Sequence, residues 1–255
     1  MQFAAPAEHY DRFMGRYVKT LAPALADAAD VRAGQRVLDV GCGPGGLTRE
    51  LARRVGAERV AAIDPAPQFV AACRERVPGA DVREAVAEDL PFAAAAFDAT
   101  LSSLVIRFMR DADRGVREMV RVTRPGGVVA ACMWDLDTGG MTMLRIFWEA
   151  VRTVRPDTRG EGASPGTGKG DIAARFERAG LTDVVDGALR AHVAYTGFED
   201  WWEPFTYGVG PAGELLVRLD APQRAAVRDA CRAELGDGPF TLDAVAWYAR
   251  GTVSA

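Results

Sequence analysis

The chain has 255 residues, of which 49% are hydrophobic and 26% charged; this excludes collagenous, low-complexity and wholly disordered chains and suits one large domain, with or without an attached cap. A net charge of −4 provides no global basic field, which argues against nucleic acid or an anionic membrane surface as a partner. Cys42, Cys73, Cys132 and Cys231 are widely spaced without a C-x-x-C pair, and only His9 and His192 could supplement them, so neither structural zinc nor a disulfide framework is expected.

Met1-Gln2-Phe3 opens without a positively charged stretch, and no apolar run approaches the roughly 18 residues of a membrane span, so a cytoplasmic protein is expected. Tyr10, Phe13, Met14, Tyr17, Val18, Leu21 and Leu25 recur at helical spacing and predict an amphipathic helix ahead of the main fold. Arg36 to Val40 reads as a buried strand, Gly41 to Gly46 as a glycine-rich turn, Thr48 to Val55 as a helix and Val60 to Ile63 as the next strand. The alternation continues with a helix through Phe69, Cys73 and Val77, strands over Asp81 to Val86 and Phe97 to Val105, and a helix through Val116, Met119 and Val120. Pro125-Gly126-Gly127 stops that helix before an apolar strand from Val128 to Trp134. Repeated strand–helix units with short loops predict an α/β fold with a doubly wound, mainly parallel sheet.

Beyond Trp134 the rhythm breaks. Met141 to Val154 predicts a helix with no strand behind it, and Arg155 to Gly170, rich in glycine, proline and charge, predicts a mobile loop. Ile172, Phe176 and Ala179 restore a core helix, Leu181 to Leu189 and Thr241 to Arg250 read as strands, and the helical, aromatic stretch from Phe198 to Leu235 belongs to a cap. The resulting division is a lid helix over 1–30, a cofactor-binding core over 31–135, a cap and loop over 136–170, a core helix and strand over 171–194, a second cap insertion over 195–239 and a final strand over 240–255.

Gly41-Cys42-Gly43-Pro44-Gly45-Gly46 fits G-x-G-x-x-G between a strand and a helix, where glycines let backbone amides approach a ligand. Asp64 ends the second strand, where a carboxylate can accept from both ribose hydroxyls. Asp39, two residues before the first glycine, would repel a dinucleotide pyrophosphate. It suits a ligand carrying an ammonium and a sulfonium, and S-adenosylmethionine has both.

Val37 to Gly46, Asp64, Glu88-Asp89-Leu90-Pro91-Phe92 with Phe97-Asp98, and Arg121 to Gly127 together resemble the successive motifs of class I S-adenosylmethionine-dependent methyltransferases, in the branch that includes ubiquinone and menaquinone methyltransferases. The resemblance covers Tyr10 to Trp134 strongly and the last two strands weakly. It implies a Rossmann-like, seven-stranded sheet with helices on both faces and an inserted helical cap. It also implies that Gly41 and Gly43 face the methionine part, that Asp39 orients the ammonium directly or through water, and that Asp64 holds the ribose, with Cys42 and Pro65 among the cofactor-binding residues. Phe69 stands against adenine or in the core. Ala87 offers its amide to the adenine ring with Glu88 and Asp89 beside it, Val86 standing where many members have Asp. Ser103 and Leu104 end the fourth strand beside the methyl donor, or simply pack there.

Methyl transfer is an in-line displacement at an activated carbon, so no catalytic residue is obligatory. Arg107, where relatives frequently carry His, could orient an anionic group or stabilise a phenolate, or be a solvated loop arginine. His192 is a candidate base, and His9 lies beside the lid. Tyr10, Phe13 and Tyr17 from one helical face, with Trp134 and Trp201, suit a flat apolar acceptor; core packing is the other reading of Trp201, Trp202 and Phe205. The expectation is therefore a metal-independent methyltransferase acting on O, N or C of a small aromatic or apolar molecule. A fold relative catalysing a cyclisation or rearrangement, or a noncatalytic cofactor-binding subunit, are the alternatives, and Asp39 argues against a nicotinamide oxidoreductase. Tyr10 to Leu25 and Arg155 to Gly170 are expected to close over bound ligands.

Overall fold

Val37–Val40 (β1) and Val60–Asp64 (β2) are buried at every position in the computed structural model, as strands covered by helices on both faces must be. The structure describes residues 6–162 and 164–254, so Met1-Gln2-Phe3 lies outside the described residues. With Asp81–Glu84 (β3), Phe97–Ser103 (β4), Thr123–Trp134 (β5), Leu181–Tyr195 (β6) and Phe240–Val253 (β7), they form a seven-stranded sheet of order β3-β2-β1-β4-β5-β7-β6. The first five strands pair in parallel, and β7 runs antiparallel to both β5 and β6. Chain order reverses between β1 and β4, and there the crevice beyond the strand ends opens for a ligand.

Several boundaries differ from the sequence reading for local reasons. β4 stops at Ser103 because Leu104 turns out of the strand at a φ of 65°. β5 starts at Thr123, which pairs with Phe97, and an irregularity before the next pair, Ala99 with Val128, absorbs Pro125-Gly126-Gly127 into the strand. β6 runs on past Leu189 because Leu189, Ala191, Val193 and Tyr195 alternate inward while Arg190 and His192 point out.

The helices Gly46–Val55 (α3), Pro67–Arg76 (α4), Ala112–Val122 (α5) and Asp171–Arg178 (α7) follow the expected periodicity. The first helix is longer than expected and has a fault in it. Ala7–Tyr10 (α1) passes through a π turn over Asp11–Gly15 into Arg16–Ala28 (α2), whose Tyr17, Leu21 and Leu25 are fully buried between α3 and β6. Thr142–Val154 (α6) follows β5, and Phe198–Trp202 (α8), Gly210–Arg218 (α9) and Ala221–Leu235 (α10) lie between β6 and β7, with α6 packed on α10. Phe205 joins these helices to the N-terminal segment, stacking on Phe147 at 4.6 Å and meeting Phe13 edge-on at 5.1 Å. Among the described residues no helix is long and apolar enough to cross a membrane.

Candidate functional site

The glycine turn leaves β1 sharply because Gly41 adopts a φ of 79°, and a Cβ there would stand 2.4 Å from Val105 Cγ2. The amides of Gly41 and Cys42 both donate to the Ile63 carbonyl at 2.8 Å, tying the turn to the end of β2. Gly43, at a φ of 52°, has nothing within 4 Å of where its Cβ would be, so the missing side chain leaves an open cradle. Asp64 Oδ2 accepts from the Gly43 amide and Oδ1 from the Ala66 amide, each at 2.9 Å. Burial pushes this carboxyl up in pKa, and the two amides partly offset that. Pro65 is exposed and carries the chain towards α4.

Asp39 is fully buried beneath this turn rather than in a cavity wall. Its Oδ2 accepts from Thr48 Oγ1 at 2.7 Å, while Oδ1 has no partner. Desolvation pushes its pKa from 3.8 up to about 7. A carboxyl whose folded pKa is raised contributes stability that is complete below about pH 4 and is lost as pH rises through about 7. Asp39→Asn should therefore remove a fall in melting temperature that the ligand-free wild type shows over that window. Parallel pH–melting curves for the two proteins would refute this assignment of the titration.

Two cavities meet at the turn, sharing Tyr10, Gly41, Gly43 and Ser103. The outer one, about 710 Å³, is a groove between the N-terminal helix and α3. The inner one, about 90 Å³, is a chamber reaching from Asp64 and Phe69 past Leu104 and Trp134 to Val209. Tyr10 meets Phe69 edge-on at 5.4 Å, and burial, then Asp64 and Asp11, raises its phenol pKa, so it stays protonated at neutral pH. Arg107 reaches the chamber wall and pairs with Glu161, whose other oxygen accepts from Trp148 Nε1 at 3.2 Å. The Arg155 to Gly170 segment thus contributes a buried carboxylate to the chamber.

Of the residues expected here, Tyr10, Phe13, Gly41, Gly43, Asp64, Phe69, Ser103, Leu104, Arg107 and Trp134 do converge on the cavities, and Cys42 lines the outer groove. Others do not. Tyr17 is core: its ring packs on Trp134 at 5.6 Å and its hydroxyl bonds that of Tyr195 at 2.8 Å. The π turn between Tyr10 and Tyr17 is the cause, since its wider turn rotates the second tyrosine off the face of the first. Trp201 is 1% exposed and packs among Phe198, Trp202 and Phe205. His192 is not a base in the cleft: it is 61% exposed, paired across the strands with Asp243 at 2.5 Å, and lines neither cavity. His9 stacks on Tyr207 at 4.3 Å. Ala87, Glu88 and Asp89 stand outside both cavity walls, and Glu88 Oε1 accepts from the amides of Arg110 and Asp111 at 2.6 and 3.2 Å.

The sequence reading missed Thr48, Met133, Leu144 and Glu161. Thr48 alone carried a signal, as a polar residue between Leu47 and Leu51 on a buried helical face. Among the described residues no three His, Cys, Asp or Glu side chains gather to hold a metal ion.

Residues 38–131 match the family described as "Methyltransferase domain". A malonyl-[acyl-carrier protein] O-methyltransferase of Enterobacter lignolyticus is 34% identical over 149 residues, 58% of this chain, and the match spans only 57% of that enzyme. The chloroplastic 2-methyl-6-phytyl-1,4-hydroquinone methyltransferase 2 of Oryza sativa is 41% identical over 100 residues, 38% of this chain and 28% of that protein. Among solved structures, a putative type II methyltransferase from Anaeromyxobacter dehalogenans shares the fold, with a TM-score of 0.61, 23% identity, and coverage of 94% of this chain and 97% of that one. An uncharacterized methyltransferase of Mycobacterium sp. (strain JLS) is 36% identical over 219 residues, 81% of this chain and 84% of that protein. With likeness of that extent added to a glycine cradle facing Asp64, the chain belongs to the class I methyltransferases and is an enzyme that uses S-adenosylmethionine.

Proposed function

We propose that the enzyme methylates a small, apolar or aromatic acceptor held in the inner chamber. The observation that carries this reading is the chamber itself, where the cofactor-facing residues Gly43 and Asp64 share one cavity with Phe13, Phe108, Met133 and Trp134. Bound S-adenosylmethionine supplies a methyl carbon already activated by its sulfonium. The chain's part is alignment and exclusion of water. Asp64 accepts from the ribose hydroxyls, the Gly43 cradle leaves room for the methionine part, and Phe69 lies against the adenosine. The unpartnered Oδ1 of Asp39 lies sealed beneath the turn, where the ionised carboxyl, populated as pH rises through about 7, favours the ligand's ammonium. Ser103 and Leu104 end β4 beside the reacting atoms, and Arg107, neutralised by Glu161, holds the far wall. The likeness to a hydroquinone methyltransferase supports an aromatic acceptor.

S-adenosylmethionine and S-adenosylhomocysteine should raise the melting temperature while NAD and NADP do not, because a ligand that binds only the native state stabilises it. An equal shift with NAD would overturn the cofactor placement. Release of S-adenosylhomocysteine on adding phenolic or quinol acceptors tests the acceptor class, and turnover confined to polar, charged acceptors would refute it.

A chamber of about 90 Å³ is small beside the roughly 300–1,000 Å³ of ordinary ligand sites, so its walls part to admit both ligands. The moving part of the N-terminal helix is its first half. Hydrogen exchange over Ala7 to Gly15 and over 155–162 should slow when S-adenosylhomocysteine binds, while Arg16–Ala28 stays protected with or without it because Tyr17, Leu21 and Leu25 are core. Ligand-independent exchange in both first-named segments would make them fixed braces.

A further inference from the structure

Trp134, Trp201 and Trp247 each bury an indole N–H with no acceptor in the protein, and of the three only Trp134 lines the chamber. It closes β5 and is 3% exposed. Because β4 and β5 run parallel with Ser103 opposite Cys132, Trp134 stands two residues beyond the level of Ser103, at the ligand-binding end of the sheet. The hydroxyl of Tyr17 does not relieve it: the ring packs edge-on against the indole and its hydroxyl bonds that of Tyr195, while the indole nitrogen finds no partner. A donor buried without a partner is costly, and in a ligand chamber the acceptor molecule is what can repay it.

The charges around the chamber restrict what that molecule is. Among the described residues that line the chamber, Arg107 brings the one guanidinium, and Glu161 neutralises it. Asp64 adds a carboxyl, and Tyr10 a phenol that stays protonated at neutral pH. Among the described residues lining the chamber no net positive charge is left to hold a carboxylate or phosphate, whereas a neutral N–H can hold a neutral oxygen.

Resting on the reading of the chamber as the acceptor site, we propose that the Trp134 indole N–H anchors the acceptor's oxygen, and that the acceptor is an uncharged apolar molecule bearing an accessible oxygen, such as a phenol, aryl ether, ester or ketone. Trp134 is a positioning residue that decides specificity, and it moves no proton.

The test is calorimetric titration of the enzyme saturated with S-adenosylhomocysteine, using toluene, anisole and benzoate as probes. Anisole has toluene's ring and an oxygen that can only accept. Wild type should bind anisole about tenfold more tightly than toluene and benzoate more weakly than anisole. Trp134→Phe should bring anisole down to the affinity of toluene while lowering the melting temperature by only a few degrees, because the packing lost against Tyr17 is partly offset by removing an unpaired buried donor. Should that variant fail to fold, the Trp134 indole proton resonance of the wild type decides instead: it should move downfield with anisole and not with toluene, and the absence of such a difference would overturn the proposal. Equal affinity for the two in wild type, no detectable binding of anisole, benzoate as the tightest probe, or a variant that keeps the preference would each overturn the proposal. Failure to bind S-adenosylhomocysteine at the outset would instead strike the cofactor placement on which the chamber's role rests.

Discussion

Replacing Asp64 with Ala is expected to raise the dissociation constant for S-adenosylhomocysteine by about two orders of magnitude or more. Two hydrogen bonds from ribose hydroxyls to a carboxylate are worth roughly 1.5–3 kcal/mol each, and about 2.7 kcal/mol is a hundredfold. A second loss comes from the protein itself, because the same carboxylate accepts the Gly43 amide and so shapes the cradle before any ligand arrives. The turn should nevertheless stay folded, since the Gly41 and Cys42 amides remain on the Ile63 carbonyl. Asp64→Asn, which keeps an acceptor oxygen, should fall between the two. A calorimetric affinity for Asp64→Ala within about threefold of wild type would show that this carboxylate does not hold the ribose.

Glu161→Ala should produce the largest loss of stability of any substitution in the chamber. It leaves the Arg107 guanidinium without its carboxylate in a wall that is nine-tenths buried, and it also strips Trp148 Nε1 of its acceptor. Breaking a buried ion pair from one side costs about 3–5 kcal/mol, which for a domain of this size lowers the melting temperature on the order of 10 °C. The segment that carries Glu161 should at the same time become a preferred site of limited proteolysis, because swinging it out lets Arg107 reach water. Replacing both partners with apolar residues, Arg107→Met with Glu161→Leu, should recover much of the loss, since the penalty lies in the stranded charge. If Glu161→Ala melts within about 2 °C of wild type with its loop still protected, the pair does not close the chamber.

These two experiments address the halves of the site that were unequally legible. The cofactor half is written in short stretches. Strand, turn and helix follow one another within Val37 to Val55, so the spacing of Asp39, Gly41 and Gly43 already implied a cradle, and Asp64 ends the next strand in register with it. Position alone did not say that Asp39 would be sealed beneath the turn with one oxygen unpaired, because its shielding comes from the helix that carries Thr48. Glu88 shows the same limit: it stands beside a motif, yet its carboxylate is used on the Arg110 and Asp111 amides, more than twenty residues away.

The proposed acceptor half is spread across the chain. Phe13, Leu104, Arg107, Trp134, Leu144, Glu161 and Val209 come from separate segments, and no periodicity relates one to another. Aromatic composition singled out the N-terminal helix and the Phe198 to Leu235 stretch but could not separate wall from core. Tyr10 and Tyr17 share a face on an ideal helix, and only the π turn between them sends the second inward. His192 looked like a base because histidine titrates near neutrality; its pairing across β6 and β7 faces it outward beside Asp243.

What the sequence determined by itself was the doubly wound sheet, the glycine cradle and the acid after β2, since each rests on contacts between residues a few positions apart or on the repeat of strand and helix. What only the tertiary structure decided was which side chains bound the chamber, that a buried carboxylate neutralises Arg107, and which aromatic residues are core. Those outcomes depend on long-range packing, in which a half-turn of helix or one step along a strand moves a side chain from cavity to core or to solvent.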